Sequence, residues 1–199
     1  MRWFTQKGKT KDARKQAIPD RAAGSPGRAL RYPRKLRDMA VFSMAGAMMF
    51  CSDLLLDALP NVHLIGMFTM LLTLTYRCRA LIPIYIYVML TALYYGFALS
   101  VVPYFYVWTV LWGMTMLLTR NISDLAAAFA YPLVCSLHGL IFGALCAPSQ
   151  ALLFGLNFSQ MIAWIVAGLP FDLVHAAGNL AAGLLVLPLS KILKKISVS

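Results

Sequence analysis

Long apolar runs separated by short connectors dominate this chain, and its positive charge falls on alternate connectors. When the runs are threaded as six membrane spans, all 18 Lys and Arg residues lie on one side of the bilayer. They fall in residues 2–37, in residues 77–79, at Arg120 and in residues 191–195. Positive residues are retained on the cytoplasmic side of a membrane. The pattern therefore predicts a multi-pass membrane protein with both termini inside.

The apolar runs predict an all-α fold of six transmembrane helices. We place the spans at about residues 39–59, 62–76, 80–101, 104–119, 125–147 and 161–189. A helix needs about 20 residues to cross the hydrocarbon, so the second span is short. Residues 1–37 are predicted to be a basic, disordered cytoplasmic tail, and residues 38–196 a six-helix substrate-binding domain.

Composition excludes several other classes of protein. With 60% hydrophobic residues and a mean hydropathy of +0.71, the chain has too little polar sequence to cover a soluble core. The net charge of +11 is concentrated ahead of the first span, where it indicates orientation and contact with anionic lipid, so no nucleic acid partner is expected. The first 35 residues lack the apolar run of a signal peptide. The four cysteines form no C-x-x-C pair, so neither a disulfide framework nor a zinc site is predicted.

Polar residues inside the last span are the strongest candidates for a functional site, because such residues are costly in a bilayer. Asp172, His175 and Asn179 are spaced to lie on one helix face. They are interpreted as a wall facing a ligand, and the alternative is an interhelical hydrogen-bond cluster. His138 lies in the middle of the fifth span, beside a Gly139/Gly143 pair that permits close helix approach.

Aromatic residues at the start of the fourth span form a second group. The run of residues 103–108 (PYFYVW) contains Tyr106 and Trp108, which belong either to the interfacial aromatic belt or to a wall on which a planar heterocycle stacks. Tyr94 and Tyr95 reach the same level from the third span. Asp53 and Asp57, near the end of the first span, are interpreted as solvated or helix-end carboxylates. Polar or aromatic residues of the first outer loop, the start of the fourth span, the fifth span and the sixth span are expected to converge on one outward-facing cavity.

At this point the chain resembles the S-components, the substrate-binding membrane subunits, of energy-coupling factor (ECF) vitamin transporters. The resemblance covers residues 36–196 and rests on the six-span plan, on residues 59–66 (LPNVHLIG) and on residues 170–179 (PFDLVHAAGN). It implies an outward cavity for a vitamin-like substrate, and no enzymatic activity or cofactor. By position it assigns Asn61 and His63 to a lid, and to the pocket wall Tyr106, Trp108, His138, Asp172, His175 and Asn179.

The same resemblance implies partners. An S-component docks in the bacterial cytoplasmic membrane on a T-component that is driven by two cytoplasmic ATPase subunits. The small residues Ala40, Ser43 and Ala47 of the first span are the expected docking face. The chain begins Met1-Arg2-Trp3, without the Met-His start of the metal-transporting branch, so no metal substrate is expected.

Three alternatives remain open. A self-contained secondary transporter would use Asp172 and His175 to carry a proton. A rhomboid-like intramembrane protease would need a serine nucleophile paired with a histidine, and Ser136 lies inside a predicted helix. In a structural or assembly protein, the polar cluster would only hold helices together.

Overall fold

The computed structural model describes residues 34–59, 61–118 and 121–198, and within them every regular element is helical. The predicted disordered tail lies outside the described residues up to position 33, whereas residues 34–37 form the first turn of α1. In the described part of the chain, five helical stretches are long and apolar enough to cross a membrane. The helices are α1 (Arg34–Leu56), α2 (Ile65–Tyr76), α3 (Leu81–Tyr94), α4 (Tyr104–Leu117), α5 (Asp124–Leu140), α6 (Phe142–Phe154), α7 (Phe158–Gly183) and α8 (Val186–Val198).

The second and third predicted spans form one apolar stretch that reverses direction in its middle. A 3-10 turn, Arg77–Ala80, separates α2 from α3, and Arg77 has a positive φ of 55°. The turn is fixed by Trp112 of α4, whose indole Nε1 donates to the Arg77 carbonyl at 3.2 Å. With 12 residues, α2 is about 18 Å long. The prediction of a short second span is confirmed.

The fifth predicted span is two helices. The backbone breaks at Ile141 between α5 and α6, and both pieces pack against α7. Close approach at the break depends on the two predicted glycines. A Cβ on Gly139 would lie 3.0 Å from the backbone of Ala176, and one on Gly143 would overlap the carboxylate of Asp172. The predicted close helix contact at this pair is confirmed.

The last predicted span ends earlier than expected, at Gly183. Beyond it, α8 is a separate helix that contacts α2 and α5. Val186 and Ser190 are buried, whereas Lys191, Ile192 and Lys195 are exposed. Apolar residues of α8 therefore complete the core beside α2, and this is why the helix bends away from α7.

The helix ends form two groups with different chemistry. Near the start of α1, Arg79 pairs with Asp38 at 3.2 Å, and Lys191 of α8 pairs with Asp124 at the start of α5. We call this group the basic end. The other group, the cavity end, contains the end of α1, the start of α2, the end of α3 and the start of α4, where the candidate site lies.

Candidate ligand-binding site

A cavity of about 280 Å³ lies at the cavity end. The ends of α1 and α3, the connector before α2, the starts of α4 and α6 and the middle of α7 all contribute to its wall. Of the sequence-predicted site residues, three line it, and several acidic and hydroxylated side chains join them. The polar lining is Asp53, Asp57, Asn61, His63, Thr91, Tyr95, Ser100, Tyr104 and His175.

All three histidines of the chain meet beside this cavity. The ring centroids of His63 and His175 are 4.5 Å apart, and both residues line the cavity. His138 lies deeper, where its Nε2 is 3.1 Å from the Val107 carbonyl. One nitrogen of each ring is buried and has no hydrogen-bond partner in the described part of the chain: His63 Nδ1, His138 Nδ1 and His175 Nε2. Buried polar atoms are normally paired, so three unpaired histidine nitrogens in one region are an unusual feature of this fold.

Trp108 is the centre of the aromatic shell behind the cavity. Its side chain is 1% exposed. The centroid of its ring lies 5.4 Å from the ring centroid of His63 and 5.6 Å from that of His138. It also contacts Tyr104 and Phe142, which do line the cavity. Trp108 therefore supports the residues of the wall and does not form the wall itself.

Asp172 has a partner inside the protein. Its Oδ1 accepts a hydrogen bond from the backbone N–H of Gly143 at 3.0 Å. Gly143 lies in the first turn of α6, where N–H groups have no partner within the helix. The carboxylate caps that helix start and complements its dipole. This contact fits the interhelical interpretation of Asp172, and Asp172 does not line the cavity.

Asn179 lies farther along the same face of α7 and is 1% exposed. Its side chain fits between two glycines: a Cβ on Gly66 would lie 3.1 Å from Oδ1, and one on Gly139 would lie 2.9 Å from Nδ2. Neither amide atom has a hydrogen-bond partner within the described residues. Asn179 thus lies four residues after His175 on α7 but is outside the cavity wall.

Two other groups of predicted residues also lie away from the cavity. The hydroxyl of Tyr106 donates to the Leu145 carbonyl at 2.6 Å, which ties α4 to α6. The predicted docking residues Ala40, Ser43 and Ala47 are all exposed. They lie on α1 away from Gly46, which packs against Pro83 and Ile86 of α3.

The sequence interpretation assigned two cavity residues to solvent. Asp53 and Asp57 were expected to be solvated or helix-end carboxylates. Both line the cavity: Asp57 is exposed, as expected, whereas Asp53 is half-buried and accepts a hydrogen bond from Tyr87 at 2.9 Å. Their spacing of four residues places them on one face of α1. That signal was available, but only the position of α3 and its Tyr87 shows that this face turns inward.

The wall of the cavity combines polar groups with aromatic rings. Within the described residues, no group of three or more His, Cys, Asp or Glu side chains is arranged to hold a metal ion. The two cavity histidines and the carboxylates offer hydrogen-bond donors and acceptors, and Tyr95, Tyr104 and Phe142 offer ring surfaces. Comparisons with protein-family models, curated proteins and solved structures gave no match to this chain.

Proposed function

We propose that this chain binds a small vitamin-like molecule at the cavity end and delivers it to an ECF-type import module. The observation that carries the proposal is the cluster of three histidines, two of which line the cavity, with an unpaired buried nitrogen on each ring. Hydrogen bonds within the protein would satisfy those nitrogens if the cluster served only to hold helices together. A ligand that bears complementary polar atoms would pair with these nitrogens, which explains why they have no partner among the described residues.

The size of the cavity narrows the class of substrate. Ligand pockets commonly have volumes of about 300–1,000 Å³, and this cavity has about 280 Å³. It suits a compact molecule with one or two rings. A corrin-sized substrate would require the connector before α2 to open widely.

The proposed placement in the bilayer follows from the charges. The described Lys and Arg residues lie at the start of α1, in the turn Arg77–Ala80 and on α8, at the basic end. By the positive-inside rule the basic end faces the cytoplasm and the cavity end faces outward. We propose a six-pass arrangement in a bacterial cytoplasmic membrane, with α5 and α6 acting as one broken span.

Energy would come from partner subunits. We propose that Ala40, Ser43 and Ala47, exposed on α1, contact a T-component carrying two ATPase subunits. Small side chains allow close helix contact in a membrane.

Binding is tested on the chain purified alone in detergent. Small molecules that remain bound are extracted and identified by mass spectrometry, and the affinity of the released compound is measured by calorimetry. His175→Ala is expected to weaken binding by about 1–3 kcal/mol, the effect of removing one buried polar partner. The control is Leu173→Ala on the same helix, where the side chain is 60% exposed. Unchanged affinity in a folded His175→Ala protein would contradict the proposed site.

Transport is tested in liposomes. The chain alone should bind substrate without concentrating it, and co-reconstitution with a T-component and ATPases should give ATP-driven uptake. Ser43→Leu with Ala47→Leu should abolish uptake and leave binding intact, whereas Met44→Leu, at an exposed neighbour, should change neither. Accumulation by the purified chain alone would favour a secondary carrier.

A further inference from the structure

The cavity wall carries negative charge and no positive charge among the described residues. Asp53 and Asp57 both line it, and no Lys or Arg does. The ion pairs Arg79–Asp38 and Lys191–Asp124 lie at the basic end. The cavity therefore offers carboxylates without a protein counter-charge.

Asp53 is held in position, unlike an ordinary surface carboxylate. Its Oδ2 accepts a hydrogen bond from the hydroxyl of Tyr87, a residue that is 1% exposed. Its Oδ1 accepts no hydrogen bond within the described residues, and the side chain is half-buried. A carboxylate that is partly removed from water is stabilised by a positive partner.

A second and independent feature also points to a ligand. His175 is 3% exposed, lines the same cavity, and has an unpaired Nε2. The rings of Tyr95 and Tyr104 lie in the same wall, and aromatic faces attract cations. The wall thus combines a fixed carboxylate, aromatic rings and a neutral hydrogen-bonding group.

Within the proposed function, on which this inference rests, we propose that the cavity selects a compact aromatic cation, with its positive nitrogen beside Asp53 and a polar atom at His175. Tyr87 acts as a positioning residue that fixes the carboxylate. Asp57 is exposed at the rim, where solvent screens its charge, so its contribution is small.

The test compares three two-ring probes of similar size by calorimetry at mildly alkaline pH: 1-methylquinolinium, 2-methylquinoline and quinoline-2-carboxylate. The wild-type protein should bind the cation roughly tenfold more tightly than the neutral probe and should bind the anion most weakly. Asp53→Asn keeps an oxygen for the Tyr87 hydroxyl and should remove the preference for the cation. The control, Asp124→Asn, removes a carboxylate at the basic end, away from the cavity, and should leave all three affinities unchanged.

Each outcome decides the inference. A preference for the neutral or anionic probe, or an undiminished preference for the cation in folded Asp53→Asn, would overturn the cation assignment while leaving a binding protein. Failure of wild-type protein to bind any probe, together with no co-purifying molecule, would overturn the proposed function as well. If Asp53→Asn does not fold, Tyr87→Phe replaces it and should reduce the cation preference about threefold, and an unchanged preference would count against the proposal.

Discussion

The two ends of the helical bundle treat polar groups in opposite ways. At the basic end the charges are paired and solvated: the side chains of Arg79 and Asp38 are 70% and 39% exposed. At the cavity end, His175 is buried and its Nε2 has no partner within the described residues, and the buried Nδ1 of His63 has none either. The contrast separates charges that are paired at the surface from polar atoms that are left unpaired inside the bundle, and the second group is the one proposed to bind a ligand.

The same contrast appears on one face of α7. Asp172 and His175 are three residues apart and both are buried. Asp172 accepts the Gly143 N–H across the helix interface, whereas the Nε2 of His175 has no partner. Residues on one helix face can therefore have different roles, because the neighbouring helix offers a free donor to only one of them.

The largest expected effect is all-or-none and tests which end faces outward. Two variants with a single cysteine each are compared. In the first, all native cysteines are replaced and Ser100→Cys places a thiol in the exposed turn before α4; this thiol should react with a membrane-impermeant maleimide on intact cells. In the second, Cys78 is the cysteine that is kept; it is exposed at the basic end and should react only after the cells are permeabilised. Labelling in the opposite order would invert the proposed topology.

Next in size is a change in packing away from the cavity. A Cβ on Gly183 would lie 2.6 Å from the Cα of Pro132, an atom of the α5 backbone that cannot move aside. Gly183→Ala should therefore lower the free energy of unfolding by about 1–3 kcal/mol, measured by denaturation in detergent. The control in the same helix is Gly168→Ala, where nothing lies within 4 Å; it should be neutral or stabilising by up to about 1 kcal/mol. Equal effects would mean that α5 and α7 are less tightly packed.

The next prediction separates Asp172 from His175. Asp172→Ala removes the cap of α6 and should lower the free energy of unfolding by about 1–2 kcal/mol, with ligand affinity largely kept. His175→Phe removes an unpaired polar atom and should leave stability within about 1 kcal/mol of wild type, with ligand affinity lost. Both quantities are measured on the same preparations. If both variants lose the same property, the two residues share one role.

The smallest effect is expected at the basic end. Asp38→Ala breaks an exposed ion pair with Arg79, and such pairs contribute about 0.2–1 kcal/mol. At low salt, the variant's free energy of unfolding should therefore be lower than that of wild type by an amount within this range. The difference should shrink as salt is added, because salt screens the pair. A loss above about 2 kcal/mol would show that charge pairing at this end holds the bundle together.

Much of the fold follows from local rules. Helix positions, the short second span and the close contact at Gly139 and Gly143 were predictable, because apolar runs and small-residue spacing act along one helix at a time. The breaks after Leu140 and Gly183 were not predicted, although Pro188 in the first turn of α8 marks the second of them, because its missing N–H disfavours a continuous helix. They depend on contacts with other helices: Asp172 supplies a cap for α6, and the core beside α2 accepts α8.

The sequence by itself determined an all-helical, apolar chain with its described positive charges at one set of helix ends, because hydropathy and charge are properties of each segment. It also singled out the polar residues that are costly in a bilayer. Tertiary structure decided their roles. It brought His63, His138 and His175 together, turned Asp53 inward beneath Tyr87, and gave Asp172 a backbone partner. Whether a polar group is satisfied depends on the atoms packed against it, and those atoms come from helices that are distant in sequence.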